Sequence, residues 1–281
     1  MSPRRSPTLR RRRLGNELRR RREAAGLTIE MVADQLECSS SKISRIETGH
    51  SGATPRDVRD ILAVCGVAGP AAEDLVQIAR EARQKGWWHL YGPVLTSAYV
   101  ELEAAASSAR SYEAQVIPGL LQTEEYARVM IRNGSPGMGP NDIDRRIRVR
   151  MQRQSLLTQD DPLNLSVVLD EAVFHRSVGS PDVMHDQLNR LVARAALPNV
   201  AIQVLPFAAG PHEAMDGSFT ILGYDEPADP DVVFAENAAG GIFLEKEEEL
   251  QRYHFIFDQL RARALPPQES VVFIAARAKE L

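Results

Sequence analysis

Cysteine is scarce in this sequence: Cys38 and Cys65 are the only two in 281 residues. That excludes a disulfide framework, and neither thiol has a ligand at metal-binding spacing, so two thiols in a reducing compartment are expected. Long apolar runs are missing as well. No stretch approaches the roughly eighteen residues that span a bilayer. The leading MSPRRSPTLRRRR carries charge with no apolar segment behind it, which reads against a secretory signal and for a cytoplasmic protein. The strings of common catalytic sites are absent too. There is no HExxH, no GxSxG, no phosphate-cradling GxxxxGK and no GxGxxG. The six histidines, His50, His89, His175, His185, His212 and His254, are scattered. A non-enzyme without metal or cofactor is therefore expected.

Three small constellations keep two readings each. Asp170-Glu171 ends a strand pattern and is either an acid–base pair or a cap for the next helix. His212-Glu213, near Gly210 and Gly217, lines a pocket or forms a solvated turn. Trp87-Trp88 packs at a domain junction or makes a ligand cage.

What is present is arginine, unevenly placed. Residues 1–70 hold thirteen arginines and one lysine against eight carboxylates, a formal charge of +6, while residues 71–281 carry −10. A basic head on an acidic body points to a polyanion as the partner of the head alone. The length favours two domains.

The head reads as short helices with clear punctuation. Leu14 and Leu18 share a face between Arg10 and Arg22, and Gly26 closes that helix. Thr28 caps a second helix from Ile29 to Leu36, with Val32, Ala33 and Leu36 inward. Ser39 caps a third from Ser40 to Thr48, with Ile43 and Ile46 inward and Gly49 as its stop. Thr54-Pro55 opens a fourth, carrying Val58, Ile61, Leu62 and Val64. Two short helices joined by a tight turn must cross closely, and Ala33 is small enough to sit at that crossing. Ser40, Ser41, Lys42, Ser44 and Arg45 then face outward on the third helix. In a helix-turn-helix that surface enters the major groove, where arginine favours the two acceptors of guanine and serine accepts several partners.

The stretch LGNELRRRREAAGLTIEMVADQLECSSSKISRIETG closely resembles the Xre/Cro-type helix-turn-helix family over about sixty residues, with SKISRIETG its specific string. The resemblance implies an ion pair between Arg22 and Glu47 that ties the first helix to the third. Glu37 departs from the pattern, standing where the family often has the glycine of the turn. The expected duplex-contacting set is Arg19, Thr28, Ser39, Ser40, Ser41, Lys42, Ser44 and Arg45, with Lys42 on phosphate. The ten arginines of residues 1–22 serve as further phosphate contacts or as a solvated face.

Beyond residue 70 the pattern is helical first and β-rich later. Helices are expected over 71–85, 97–112, 124–133 (capped by Thr123), 142–157, 181–196, 245–264 and 269–279. Short strands are expected at 165–169, 201–205, 219–222 and 232–234. The expected architecture is a mainly α N-terminal helix-turn-helix domain of four to five helices, followed by an α+β domain with a small mixed sheet. The expected divisions are a disordered basic arm over 1–9, the head over 10–70, a helical junction over 71–96 and the α+β domain over 97–281. GWWHLYGPVLTSAYVELEAAASSARSYEAQVIPGLLQTEEYAR, RVRMQRQSLL and VVLDEAVFHRSVG resemble the actinobacterial WhiJ-like regulators, PGLLQT being the most specific string. These regulators pair an Xre-type head with a C-terminal domain of unassigned function. The resemblance implies an antitoxin-like role and a small acidic protein partner, for which Arg145, Arg146, Arg150 and Arg153 are the candidate dock. Those arginines read equally as a solvated helix face. One such head covers a single half-site, so a homodimer on double-stranded DNA is expected.

Overall fold

The computed structural model describes residues 7–49, 51–82, 98–225, 229–237 and 240–281. They fall into two compact units that divide near residue 106. Residues 1–6 of the expected basic arm, and Trp87-Trp88, lie outside the described residues.

The first unit is all helix: α1 (Pro7–Ala24), α2 (Ile29–Gln35), α3 (Ser40–Glu47), α4 (Pro55–Val64), α5 (Pro70–Glu81) and α6 (Ala98–Ala105). Of the expected core, Leu14, Leu18, Val32, Ala33, Ile43, Ile46, Val58, Ile61 and Leu62 are buried together, while Leu36 and Val64 are half-buried at its margin. Helix α6 packs on α1, where Arg11 lies 3.9 Å from the largely buried Glu101 carboxylate.

Three helices of this unit end in the same way. After α1, Gly26 donates to Glu23 O and Leu27 to Arg22 O; after α4, Gly66 donates to Ala63 O and Val67 to Leu62 O. After α2, Glu37 donates to Asp34 O and Cys38 to Ala33 O. Each pair of bonds makes a Schellman cap, which needs a left-handed residue at its centre. Gly26 and Gly66 supply it at φ 71° and 73°; Glu37 is forced to φ 49° and is the one non-glycine with positive φ among the described residues. A side chain in that region carries roughly 1–2 kcal/mol of strain. Glu37→Gly is therefore expected to stabilise the unit by about 1 kcal/mol, read as a higher denaturation midpoint at constant slope. A neutral or destabilising result would mean that the Glu37 side chain makes up the difference.

The second unit is α+β around one six-stranded mixed sheet. Its strands are β1 (Ser108–Glu113), β2 (Asn164–Asp170), β3 (Val200–Leu205), β4 (Phe219–Gly223), β5 (Val232–Asn237) and β6 (Gly240–Leu244), in the spatial order 3-2-1-4-5-6. β1, β2 and β3 run parallel, and the β1–β4, β4–β5 and β5–β6 pairs are antiparallel. Parallel neighbours need crossovers. Helices α7 (Glu124–Gly134) and α8 (Pro140–Arg153) make the first, and α9 (Ala172–His175) and α10 (Pro181–Arg194) the second. Helix α11 (Glu247–Arg263) covers one face through Leu250, Ile256, Phe257 and Leu260, over Tyr112, Val168, Phe219, Ile221 and Val233. Helix α12 (Pro267–Lys279) packs on α10 and β3. The outer edge of β3 is closed there, since Val204 donates to Ser270 Oγ at 2.9 Å and accepts from Leu265 N at 2.8 Å.

The helix expected over 97–112 is corrected. It stops at Ala105, and Ser108–Glu113 become the central strand β1. Ala105, Ala106 and Ala109 sit at helical spacing, yet Ala109 and Tyr112 are buried because β2 and β4 flank them on either side. The sheet is also larger than expected by β1 and by β6, whose Gly240-Gly241 start hid a strand. A Cβ on Gly241 would overlap the Phe234 ring, so the bare backbone is what lets β5 and β6 pair.

Candidate nucleic-acid interface

Helix α3 is held from behind and open in front. Its N-terminus is capped by Ser39, whose Oγ accepts from Lys42 N at 3.2 Å, and α2 is capped likewise by Thr28 from Met31 N at 3.2 Å. Both hydroxyls accept in capping; Ser39 keeps its own hydrogen to donate outward, whereas the Thr28 hydroxyl also engages the Glu30 carboxylate. Ile43 and Ile46 are buried against α1 and α2, in a core that α4 shares, and Glu47 at the C-terminal end is 3% exposed. Its two oxygens take a bidentate grip from Arg22, Nε to Oε1 at 2.7 Å and Nη2 to Oε2 at 2.8 Å. The third Arg22 nitrogen, Nη1, donates to Leu27 O at 2.8 Å. This charge-assisted bond to Glu47 raises the Arg22 guanidinium above its ordinary value. The ion pair implied by the resemblance is thus present.

Gly15 completes the clamp, and sequence reasoning missed it. A Cβ there would lie 2.5 Å from Glu47 O and 2.6 Å from Ile46 O, so α1 touches the last turn of α3 backbone to backbone. A glycine inside an otherwise helical pattern was the available signal.

The outward surface of α3 carries Ser40, Ser41, Ser44 and Arg45. Arg45 is exposed, and among the described residues its guanidinium has no side-chain hydrogen bond or ion pair. The neighbouring cations differ. Arg19 is paired with Glu23 at 2.8 Å on the surface of α1, an i,i+4 pair worth only a few tenths of a kcal/mol. Lys42 is bound to Asp57 of α4 at 2.6 Å, and this bond raises the Lys42 ammonium above its ordinary value. Asp57 in turn completes a capping box with Thr54, accepting from Thr54 N at 2.9 Å while Thr54 Oγ accepts from Asp57 N at 3.1 Å. Those contacts outweigh burial and hold the Asp57 carboxyl below its ordinary range. The Thr54-x-x-Asp57 spacing announces the box; the grip on Lys42 joins residues fifteen apart and has no such signal.

The second unit does not gather its candidate dock into one exposed row. Arg145 pairs with Asp142 at 3.6 Å, and Arg146 donates to Ser135 Oγ at 3.2 Å. Arg150 turns inward to Gln122 Oε1 at 2.9 Å, while Arg153 is half-buried. Gln122 belongs to the PGLLQT turn, which is tied by buried glutamines: Gln154 donates to Gly119 O and Gln122 O, and Gln187 donates to Leu121 O while accepting from Thr123 N. Of the other constellations, Asp170 accepts from Ala172 N at 2.9 Å, and Glu171 accepts from Phe207 N at 2.7 Å. The His212 side chain is 6% exposed, with Nε2 3.2 Å from the Tyr112 hydroxyl.

Among the described residues no helix is long and apolar enough to cross a membrane. Residues 13–75 match the family model of a helix-turn-helix domain, and residues 96–276 match that of the domain of unknown function DUF5753. No curated protein and no solved structure matches the chain. The chain therefore belongs to the DUF5753 family and carries a helix-turn-helix domain ahead of that region.

Proposed function

We propose that this chain is a cytoplasmic, sequence-specific DNA-binding transcriptional regulator of the WhiJ-like, Xre-type group, acting as a homodimer through its second unit and without catalysis. The observation that carries the reading is α3: a rod clamped by Arg22–Glu47 and Gly15, with Ser40, Ser41, Ser44 and an unengaged Arg45 turned outward. Major-groove recognition needs that combination of rigid placement and free donors. Ser39, Thr28 and Arg19 supply phosphate contacts around it, and the second unit answers an effector by changing how two heads are placed. Arg45→Ala is expected to weaken binding to the cognate duplex by about 1–3 kcal/mol and binding to a scrambled duplex far less. Equal losses on both duplexes would reduce Arg45 to a backbone contact.

Lys42 joins the phosphate contacts only by leaving Asp57. Asp57→Asn keeps an oxygen for the Thr54 cap and removes the charge that holds Lys42. The slope of log K against log salt is expected to steepen by about 0.9, the contribution of one added phosphate contact. An unchanged slope would show that Lys42 braces α3 against α4 and stays off the duplex. The antitoxin-like reading, with capture of a small acidic protein as the main task, needs one exposed arginine face, and Arg146 and Arg150 are engaged elsewhere.

A further inference from the structure

Arg190 and Arg194 stand one turn apart on α10, and both have Nε atoms shut off from solvent with no hydrogen-bond partner. Buried donors are nearly always satisfied, so an orphaned pair calls for an acceptor. Among the described residues none reaches either Nε. Among the described residues neither guanidinium has a carboxylate within ion-pair distance. Asp186, one turn before Arg190, is exposed and lies beside His185 instead, at 3.7 Å. Burial, and then the neighbouring Arg190, hold the Arg194 guanidinium below its ordinary value. Like charges at i,i+4 oppose one another, yet this pair is built into the structure. Arg190 Nη2 is fixed on Gln154 Oε1 at 2.8 Å. Gln154 is 4% exposed, and its amide is fixed on Gly119 O and Gln122 O of the PGLLQT turn. The frame that sets Arg190 is therefore rigid before anything binds.

We propose that Arg190 and Arg194 form a binding site for the phosphate group of a small molecule. Two forked guanidiniums on one helix face match the oxygens of a dianionic phosphate bidentately, and the anion relieves their mutual repulsion. Arg190 stays on Gln154, and on binding the Arg194 terminal group turns its Nε–Nη edge toward the phosphate beside it. The site lies wholly in the second unit, so it stands or falls independently of DNA recognition by α3.

The test is calorimetric titration of the full chain with pyrophosphate at fixed ionic strength. Saturable binding is expected, with affinity lowered at least about tenfold in Arg194→Gln and in Arg190→Gln, the loss of one charge-assisted pair. Arg194→Lys keeps the charge without the fork and falls between wild type and Arg194→Gln. Arg45→Ala, in the other unit, leaves the titration unchanged, which separates this site from the basic head. Circular dichroism of each variant establishes that it is folded. Absence of saturable binding, or wild-type affinity in both glutamine variants, overturns the proposal and leaves ordered water on the Nε atoms. Arg194-dependent heat with a scrambled duplex but none with pyrophosphate overturns it too, because the phosphate would then be a nucleic-acid backbone.

Discussion

Arg22→Ala is expected to leave the first unit about 3–5 kcal/mol less stable, because it strands the Glu47 carboxylate in a site that is 3% exposed. Domains of this kind hold only about 5–15 kcal/mol in total, so much of the unit would unfold near physiological temperature. The loss comes from the partner left behind more than from the pair itself. Two charges taken from water together nearly balance their desolvation against their attraction. The double change Arg22→Met with Glu47→Leu is therefore expected to recover most of the stability. Hydrogen exchange resolved over α1 and α3 reads both effects within the full chain. A single-variant loss under about 1 kcal/mol would mean that water reaches Glu47 easily, and the clamp would not be what fixes α3.

Gly15→Ala tests the same junction from the backbone side, and its sign is decisive. By helix propensity alone, alanine in mid-helix gains roughly 0.5–1 kcal/mol over glycine. Here the new methyl meets two backbone oxygens of α3 at 2.5 and 2.6 Å, and neither can swing aside as a side chain would. Relief requires α3 to move off α1, so a net loss of about 1–3 kcal/mol is expected. Duplex affinity should fall with it, since a tilted α3 misplaces Arg45 and the serines. Gly134, in the last turn of α7, has open space where its Cβ would be. The same substitution there is expected to be neutral or mildly stabilising, which separates contact from propensity. A stabilising Gly15→Ala would remove the close approach from the account.

The residues that were legible in the sequence act on near neighbours. Thr28 and Ser39 cap atoms three residues away, Gly26 ends its own helix, and the inward face of α3 repeats at helical spacing. Glu37 showed itself by standing where a left-handed turn favours glycine. The pairing of Arg22 with Glu47 spans twenty-five residues and came through the resemblance, since no local rule joins them. What failed is decided by tertiary neighbours. Ser108–Glu113 has only one strongly strand-favouring residue, Tyr112, and becomes a strand because β2 and β4 sit on both sides of it. The arginines of 145–153 read as one row, but Arg150 turns to a glutamine twenty-eight residues back. Asp57 reads as a cap residue, and only the packing of α4 beside α3 gives it Lys42 as well.

Whether α3 is a rigid reading surface carried in duplicate is decided by selecting bound duplexes from a random pool with the purified full chain. One enriched motif is expected, twofold symmetric, with half-sites about 10–10.5 base pairs apart, and with a changed preference at one position of each half-site in the Arg45→Ala protein. Enrichment of no sequence, or of the same motif by both proteins, would contradict it.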